Sequence, residues 1–384
     1  MLILVWSVLA TLTFGIPIMH FFLMKRAALK PWQIEKNENF TPRISVIVPT
    51  YNEASVIRFK LANLIRVDYP KELIETIIVD SGSDDGTPDI VKGFKERNPE
   101  RNIELIVENE RKGKSAALNS VLRYCTGEIV IVTDADCFWP SDILQRTMSF
   151  LADPRVGAIS GPKLLLNPAD SRTTQSEDKY LEYMNLVKLG EAKLGLTPLF
   201  EGGFSAYRKE ALNLFDPYKT GSDDCGTIIK LAEANYEALF VPEAKFFSTF
   251  PMAWKEKLAV KVRRANQLVR VFGKYAALLL ARRIRVGKRV IVTNTLTYLV
   301  IPVLFVTFLF ITPFTFVRFP SLMLFLLLFL VPRIGSTLLE LCQSFLVLFY
   351  SILSVVFKKN FLRWEQPADR YLLNEEMLNK HNLI

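Results

Sequence analysis

A parallel α/β domain set between membrane-spanning helices is the architecture this sequence predicts. Three observations carry that reading. Strand-like and helix-like segments alternate from residue 44 to residue 133, residues 1–24 carry no formal charge, and residues 290–317 form a second uncharged stretch. Alternating strands and helices favour a parallel sheet covered on both faces, and about twenty apolar residues span a bilayer. The expected layout is an anchor at 1–24, a linker at 25–42, an α/β domain at 43–251, a basic amphipathic segment at 252–289, a membrane region of two or three spans at 290–357, and a tail at 358–384.

The first stretch is followed by Lys25, Arg26 and Lys30. A cleaved signal peptide carries its basic residues ahead of the apolar run. An uncleaved anchor is therefore expected, with its N-terminus outside and the following domain in the cytoplasm. Residues 44–48 (ISVIV), 74–79, 103–107 and 128–133 are short runs rich in β-branched residues and read as buried strands. Helical patterns at 52–66, 88–97 and 115–123 separate them. No internal repeat or low-complexity segment interrupts the pattern.

Charge is concentrated late in the chain. Between Lys255 and Arg289 twelve Lys or Arg stand against one acid, Glu256, which exceeds the whole-chain excess of +9 and leaves the remainder slightly acidic. A nucleic-acid surface is a poor explanation of that pattern. Basic residues abutting an apolar span mark a cytoplasmic membrane boundary. Pro302 and Pro313 interrupt the span at 290–317, which membrane helices tolerate. Residues 319–332 are apolar but short for a crossing, and 334–357 is long enough, with Glu340 expected to face protein or water. Counting 319–332 as a half-helix or re-entrant piece returns Lys358, Lys359 and Arg363 to the cytoplasm, the arrangement the charge rule favours.

Half of the 384 residues are hydrophobic, which excludes a disordered tail protein. Cys125, Cys137, Cys225 and Cys342 form no Cys-x-x-Cys pair, and His20 and His381 lie near the chain ends. Thiolate or imidazole metal sites are thus disfavoured. The cysteines read as small buried hydrophobes in a reducing compartment.

Four loops fall at strand carboxyl ends, where open α/β sheets bind ligands: 49–54, 80–87, 111–114 and 133–137. In VTDADC (132–137), Asp134 and Asp136 stand two residues apart. Close carboxylates repel unless something neutralises them. Mg2+ or Mn2+, held by one or two carboxylates and substrate phosphates, does so with oxygen ligands alone; a polar turn is the plainer alternative. In VDSGSDDGT (79–87), Asp80 either accepts hydrogen bonds from a base or ribose or organises an Asx-turn. In RKGKSAALN (111–119), Lys114 either holds a phosphate at a helix start or is merely solvated. Gly202 and Gly203, expected to follow a strand, either let another molecule approach the backbone or make a hairpin turn. Asp223 and Asp224 open a helical pattern at 227–234. One can cap that helix, and Asp224 can instead serve as a general base.

Together SVIVPTYNEA (45–54), VDSGSDDGT, RKGKSAALN, VTDAD, EGGF (201–204) and SDD (222–224) resemble, in order and spacing, the inverting nucleotide-sugar-dependent glycosyltransferases of family 2. That family has the GT-A, Rossmann-like fold. The resemblance covers residues 43–272, and the flanking membrane stretches suit the hyaluronan-, cellulose- and poly-N-acetylglucosamine-synthase-like branch. It implies that Thr50, Tyr51, Glu53 and Asp80 bind the base and ribose, and that Lys114 and Arg264 contact the donor diphosphate. Asp134 and Asp136 would be the Asp-x-Asp pair, with Asp136 the direct ligand of Mg2+ or Mn2+. Asp224, matching the end of the family's Thr-Glu-Asp motif, would be the catalytic base. Gly202, Gly203, Phe204 and Asp223 would lie near the acceptor.

One departure stands out. Processive members carry Gln-x-x-Arg-Trp before the C-terminal spans, whereas this chain has Lys261-Val262-Arg263-Arg264-Ala265. Without the Trp, the resemblance favours adding one or a few sugars, from a UDP-linked donor, to a lipid or lipid-linked glycan. A processive synthase and a polyprenyl-phosphate sugar transferase are the alternatives.

Overall fold

The computed structural model describes residues 1–359 and 373–384. Arg363, expected in a basic tail, lies outside the described residues. In chain order the elements are α1 (Leu2–Ala28), β1 (Ile44–Thr50), α2 (Ile57–Ile65), β2 (Ile74–Asp80), α3 (Thr87–Arg97), β3 (Asn102–Val107), α4 (Lys114–Val121), β4 (Ile129–Val132), α5 (Ile143–Met148), β5 (Val156–Ser160), β6 (Lys163–Leu165), α6 (Arg172–Ala192), β7 (Ser205–Arg208), α7 (Cys225–Glu233), β8 (Glu237–Phe240), β9 (Phe246–Ser248) and α8 (Trp254–Leu280). Then come α9 (Lys288–Arg318), α10 (Pro332–Val356) and α11 (Glu375–Asn379).

The main sheet has the order β3-β2-β1-β4-β7-β5-β8, and β6 pairs with β9 in a small second sheet. β1 is parallel to β2 and β4, so Thr50 and Asp80 sit side by side at one edge. β7 departs from the expected all-parallel sheet, running antiparallel to β4 and β5. Gly202 and Gly203 accordingly precede a strand instead of following one. Because β7 is reversed, its amino end lies beside the carboxyl end of β4, with Ser205 opposite Val132.

Side chains alternate across the sheet. Val46, Val48, Ile78 and Ile131 pack on one face with Ile57 and Leu61 of α2, Phe94 of α3 and Ile143 of α5. Ile47, Val79, Val130 and Val132 pack on the other with Leu118 of α4, Ile228 of α7 and Phe272 of α8. Each fully buried aliphatic side chain contributes about 1.5–3 kcal/mol. Continuous hydrophobic strands follow from this two-sided burial. Cys125, Cys137 and Cys225 are buried and all four cysteines are free thiols.

Among the described residues, three helices are long and apolar enough to cross a membrane: α1, α9 and Leu338–Val356 of α10. The apolar run between the last two forms a 3-10 segment, Pro320–Leu330, rather than a crossing. Trp6 of α1 donates to Thr312 of α9 at 2.9 Å. Glu340 of α10 faces protein, as expected, accepting from Ser176 at 2.5 Å and Lys261 at 2.6 Å. Buried Glu191 of α6 joins α1 and α9 to the domain, meeting His20 at 3.1 Å and Asn294 at 2.6 Å.

The α1–α6 contact depends on a missing side chain. A Cβ on Gly190 would fall 2.1 Å from the Met24 carbonyl oxygen, a backbone atom that cannot rotate aside. Gly190→Ala is therefore expected to destabilise the protein by about 1–3 kcal/mol despite alanine's better helix propensity. A lowered thermal midpoint of the detergent-solubilised full chain is the measurement.

Candidate active site

The loops after β1 and β2 are laced together by short polar side chains. Asp80 is fully buried; its carboxylate accepts from Thr50 Oγ1 at 2.9 Å and from Ser83 Oγ at 2.6 Å and N at 2.9 Å. Ser83, Thr87 and Asp85 in turn accept from the backbone N–H groups of Asn52, Glu53 and Ala54 at 2.8, 2.8 and 2.9 Å. Asn52 takes a left-handed φ of 55° to make that turn. Above it, the Arg111 guanidinium lies 4.0 Å from the Tyr51 ring centroid, a cation–π stack on the cleft side.

Lys114 is the first residue of α4, and its Nζ bridges Asp134 Oδ1 at 2.7 Å and Asp223 Oδ2 at 2.9 Å. Asp134 follows β4, and Asp223 precedes α7. Gly202 is the floor of this contact. Its carbonyl accepts from Asp134 N at 3.1 Å, and a Cβ there would stand 2.6 Å from Asp134 Oδ2 and 3.0 Å from Lys114 Nζ. Asp136 lies beside Asp134, and their carboxylate oxygens come within 4.8 Å of each other and of Cys137 Sγ. Burial and the two neighbouring carboxylates hold the Cys137 thiol well above its usual range, so it stays protonated. Two carboxylates as the available ligands suit a hard divalent ion such as Mg2+ or Mn2+.

The cluster is short of positive charge. Burial raises the Asp134 carboxyl above the ordinary range, with Asp136 and Asp223 adding to the rise against Lys114. Burial likewise raises Asp223, with Asp224 adding to the rise against Lys114. Lys114 itself is held well above its usual value: burial pulls it down, and Asp134, Asp223 and Asp224 more than offset that. Carboxyls raised on folding oppose folding at neutral pH, and that opposition fades as pH falls through their raised values. A divalent cation held by Asp134 and Asp136 would lessen it.

Asp224 caps α7. Its Oδ1 accepts from Cys225 N at 2.6 Å and from the Ser222 hydroxyl. The loop before it is organised by Asp216, whose carboxylate takes Thr220 N and Oγ1 at 2.8 Å and Gly221 N at 2.7 Å. From the membrane side, Gln267 of α8 donates to Gly221 O at 2.6 Å. Arg263, a neighbour of the expected Arg264, is in the electrostatic range of Asp134, Asp223 and Asp224. Arg264 instead faces chiefly Glu201 and Glu177, with Glu177 at 3.9 Å. Burial would raise Glu201, but Lys188, at 2.6 Å, Arg264 and Lys163 together hold it at about 2.

Of the thirteen expected positions, Lys114, Asp134, Asp136, Gly202, Asp223 and Asp224 gather at one edge, with Tyr51 on the same rim. Thr50, Glu53 and Asp80 lie below it, buried as the framework of the two loops. Gly203 and Phe204 belong to the core rather than to an acceptor surface. A Cβ on Gly203 would meet the Phe246 ring at 2.1 Å, and Phe204 is fully buried against Trp139.

Two functional supports had no signature in the sequence. Lys60 of α2 is fully buried, donates to Thr133 Oγ1 at 2.8 Å and Cys137 O at 2.5 Å, and lies 4.5 Å from the Trp139 ring centroid. One turn on, buried Asn63 clasps the main chain of Trp139 with both ends of its amide, at 2.8 Å each. Both sit at ordinary helical positions, and only the fold reveals what they meet.

The arrangement, a GT-A-type α/β sheet with an Asp-x-Asp pair and a basic helix start converging at one edge, is that of a nucleotide-sugar glycosyltransferase. Residues 45–215 match the model of glycosyl transferase family 2. The structure is similar to that of a mannosyltransferase from Pyrobaculum calidifontis in complex with GDP-Man and Mn2+, with a TM-score of 0.79 and 30% identity over 94% of this chain and 100% of that one. A poly-beta-1,6-N-acetyl-D-glucosamine synthase of Staphylococcus epidermidis is 24% identical over 63% of this chain and 59% of its own length. A beta-monoglucosyldiacylglycerol synthase of Synechocystis is 27% identical over 56% of this chain and 52% of its own. The chain thus spans little more than half the length of these curated relatives. It belongs to glycosyl transferase family 2 and is a transferase enzyme.

Lys114→Met removes the cation shared by Asp134 and Asp223. Both carboxyls already titrate high, and losing the counter-charge raises them further. Loss of activity on acidification then begins at higher pH. The acid limb of the pH–rate profile is expected to move up by about one unit.

Proposed function

We propose that this enzyme is an inverting glycosyltransferase that moves a sugar from a nucleoside diphosphate to a hydroxyl of a lipid or lipid-linked glycan. The observation that carries the reading is the convergence of Asp134, Asp136, Asp223 and Asp224 around Lys114 at the carboxyl edge of the sheet. Tyr51 and Arg111 are suited to the face of a nucleobase. Lys114 and Arg263 are suited to the diphosphate, and Arg264 to its outer end.

Asp134 and Asp136 would hold Mg2+ or Mn2+, which when bound supplies positive charge to a leaving diphosphate. Asp224 is fixed through Oδ1 by the α7 cap, and its Oδ2 is assigned the proton of the acceptor hydroxyl. The acceptor oxygen then forms a bond to the anomeric carbon from the face opposite the leaving group. The old carbon–oxygen bond breaks, and its electron pair leaves with the nucleoside diphosphate. An α-linked donor thereby gives a β-linked product. Base assistance of this kind contributes about 10²–10⁴-fold.

The membrane arrangement supports a lipid-borne acceptor. Lys25 and Arg26 end α1, Lys288 and Arg289 open α9, and Lys358 and Lys359 follow α10. Clustering of these residues at the domain-side ends favours three crossings with the catalytic domain in the cytoplasm. The uridine donor favoured by the family resemblance and the GDP-Man of the Pyrobaculum calidifontis mannosyltransferase define the first donors to compare.

Membranes containing the protein, given labelled GDP-mannose or a panel of UDP-sugars with Mn2+, are expected to yield short, lipid-extractable product from one donor class. Asp224→Asn is expected to lower transfer at least a hundredfold while leaving nucleotide binding near wild type. Long polymer would favour the processive reading. Full activity of Asp224→Asn would favour a phosphate acceptor, which needs no base.

A further inference from the structure

The segment after the membrane helices returns to the catalytic domain. Leu378 and Leu383 are almost completely buried, in the same core as Phe138, Trp139 and Phe246. The Leu383 carbonyl accepts from Asn63 Nδ2 at 2.7 Å. That amide also donates to Trp139 O at 2.8 Å, while its oxygen accepts from Trp139 N at 2.8 Å. His381 lies against Phe247, with ring centroids 5.1 Å apart. Phe247 exchanges both backbone hydrogen bonds with Phe138, at 2.8 Å each.

These contacts converge on the chain just past Asp136. Phe138 and Trp139 end the loop that carries Asp134 and Asp136, and Trp139 Nε1 donates to Gly203 O at 2.8 Å. Lys60 holds the other side of the same loop through Thr133 and Cys137. The loop is therefore clamped from α2, and the Asn63 half of the clamp is shared with residues 373–384. We propose that segment 373–384 is a positioning element for the Asp134–Asp136 loop, setting its affinity for a divalent cation through Asn63, Phe138 and Trp139. The inference rests on the reading of Asp134 and Asp136 as metal ligands. Its physical basis is that groups outside the ligand set orient the ligands, and their loss typically weakens metal binding by about 10–100-fold.

The test is Mn2+ titration of the full-length, detergent-solubilised enzyme, with free Mn2+ read by electron paramagnetic resonance. Four proteins are compared: wild type, Leu378→Gln, Leu378→Met, and a variant stopped after residue 372. Leu378→Gln and the shortened variant are expected to bind Mn2+ about tenfold more weakly, with Leu378→Met at wild-type affinity. A synthetic peptide of residues 373–384 is expected to restore the shortened variant. Wild-type Mn2+ affinity in both weakened variants would overturn the proposal. So would a loss that the peptide does not reverse, since that is the mark of general destabilisation. Failure of the wild type to take up Mn2+ both alone and with GDP or UDP present would instead refute the metal reading, and the proposal with it.

Discussion

One ammonium group organises the centre of this enzyme. Lys114 stands between a carboxylate that follows β4 and another that precedes α7, at 2.7 and 2.9 Å. Those two positions are 89 residues apart in the chain. Removing charges from water is unfavourable unless each finds a partner. Here Asp134, Asp223 and Asp224 lie in the field of Lys114 and Arg263, and Asp134 and Asp136 in that of the fully buried Lys60. Burial still raises the Asp134 and Asp223 carboxyls, so added positive charge is favourable at the edge of the sheet where ligands of such folds bind. Gly202 lets the group close up, because any side chain there would occupy the space of the ion pair.

The membrane part is fastened by the same physics. Glu340 lies on a helix otherwise apolar enough to cross a bilayer, and its carboxylate is met by Lys257, Lys261 and Ser176. Glu191 plays the reciprocal part, a domain carboxylate met by His20 and Asn294 from two membrane helices. Buried charged groups are expensive when unpaired. These pairings define where the helices attach far more sharply than apolar contact between helices would.

Much of this could be read from the chain. The first four strands and their loops are local features, and β-branched runs ending in Asp, Gly and Ser locate them within a residue or two. The direction of β7 was not legible, because a hydrophobic run has no polarity; separately, the strand lies at Ser205–Arg208, after Gly202 and Gly203 and not before them. Asp80 and Phe204 carry the residue types of a binding surface, yet both lie underneath it, and burial of that kind is decided by packing from distant segments. Lys60 and Asn63 look like any polar pair on a helix. Asn63 meets a carbonyl 320 residues later in the chain, a relation no local pattern encodes. Of the two readings the sequence offered for Asp224, the structure shows the helix cap, which fixes its Oδ1.

Helix α8 is gripped at two heights. Lys261 holds Glu340 of α10, and six residues further on Gln267 holds the Gly221 carbonyl beside Asp223 and Asp224. Along an α-helix those grips are only about 9 Å apart, so the helix acts as a short, stiff lever. Glu340 of α10 and the loop that carries Asp223 and Asp224 are therefore fastened to one rigid helix, so neither is positioned independently of the other.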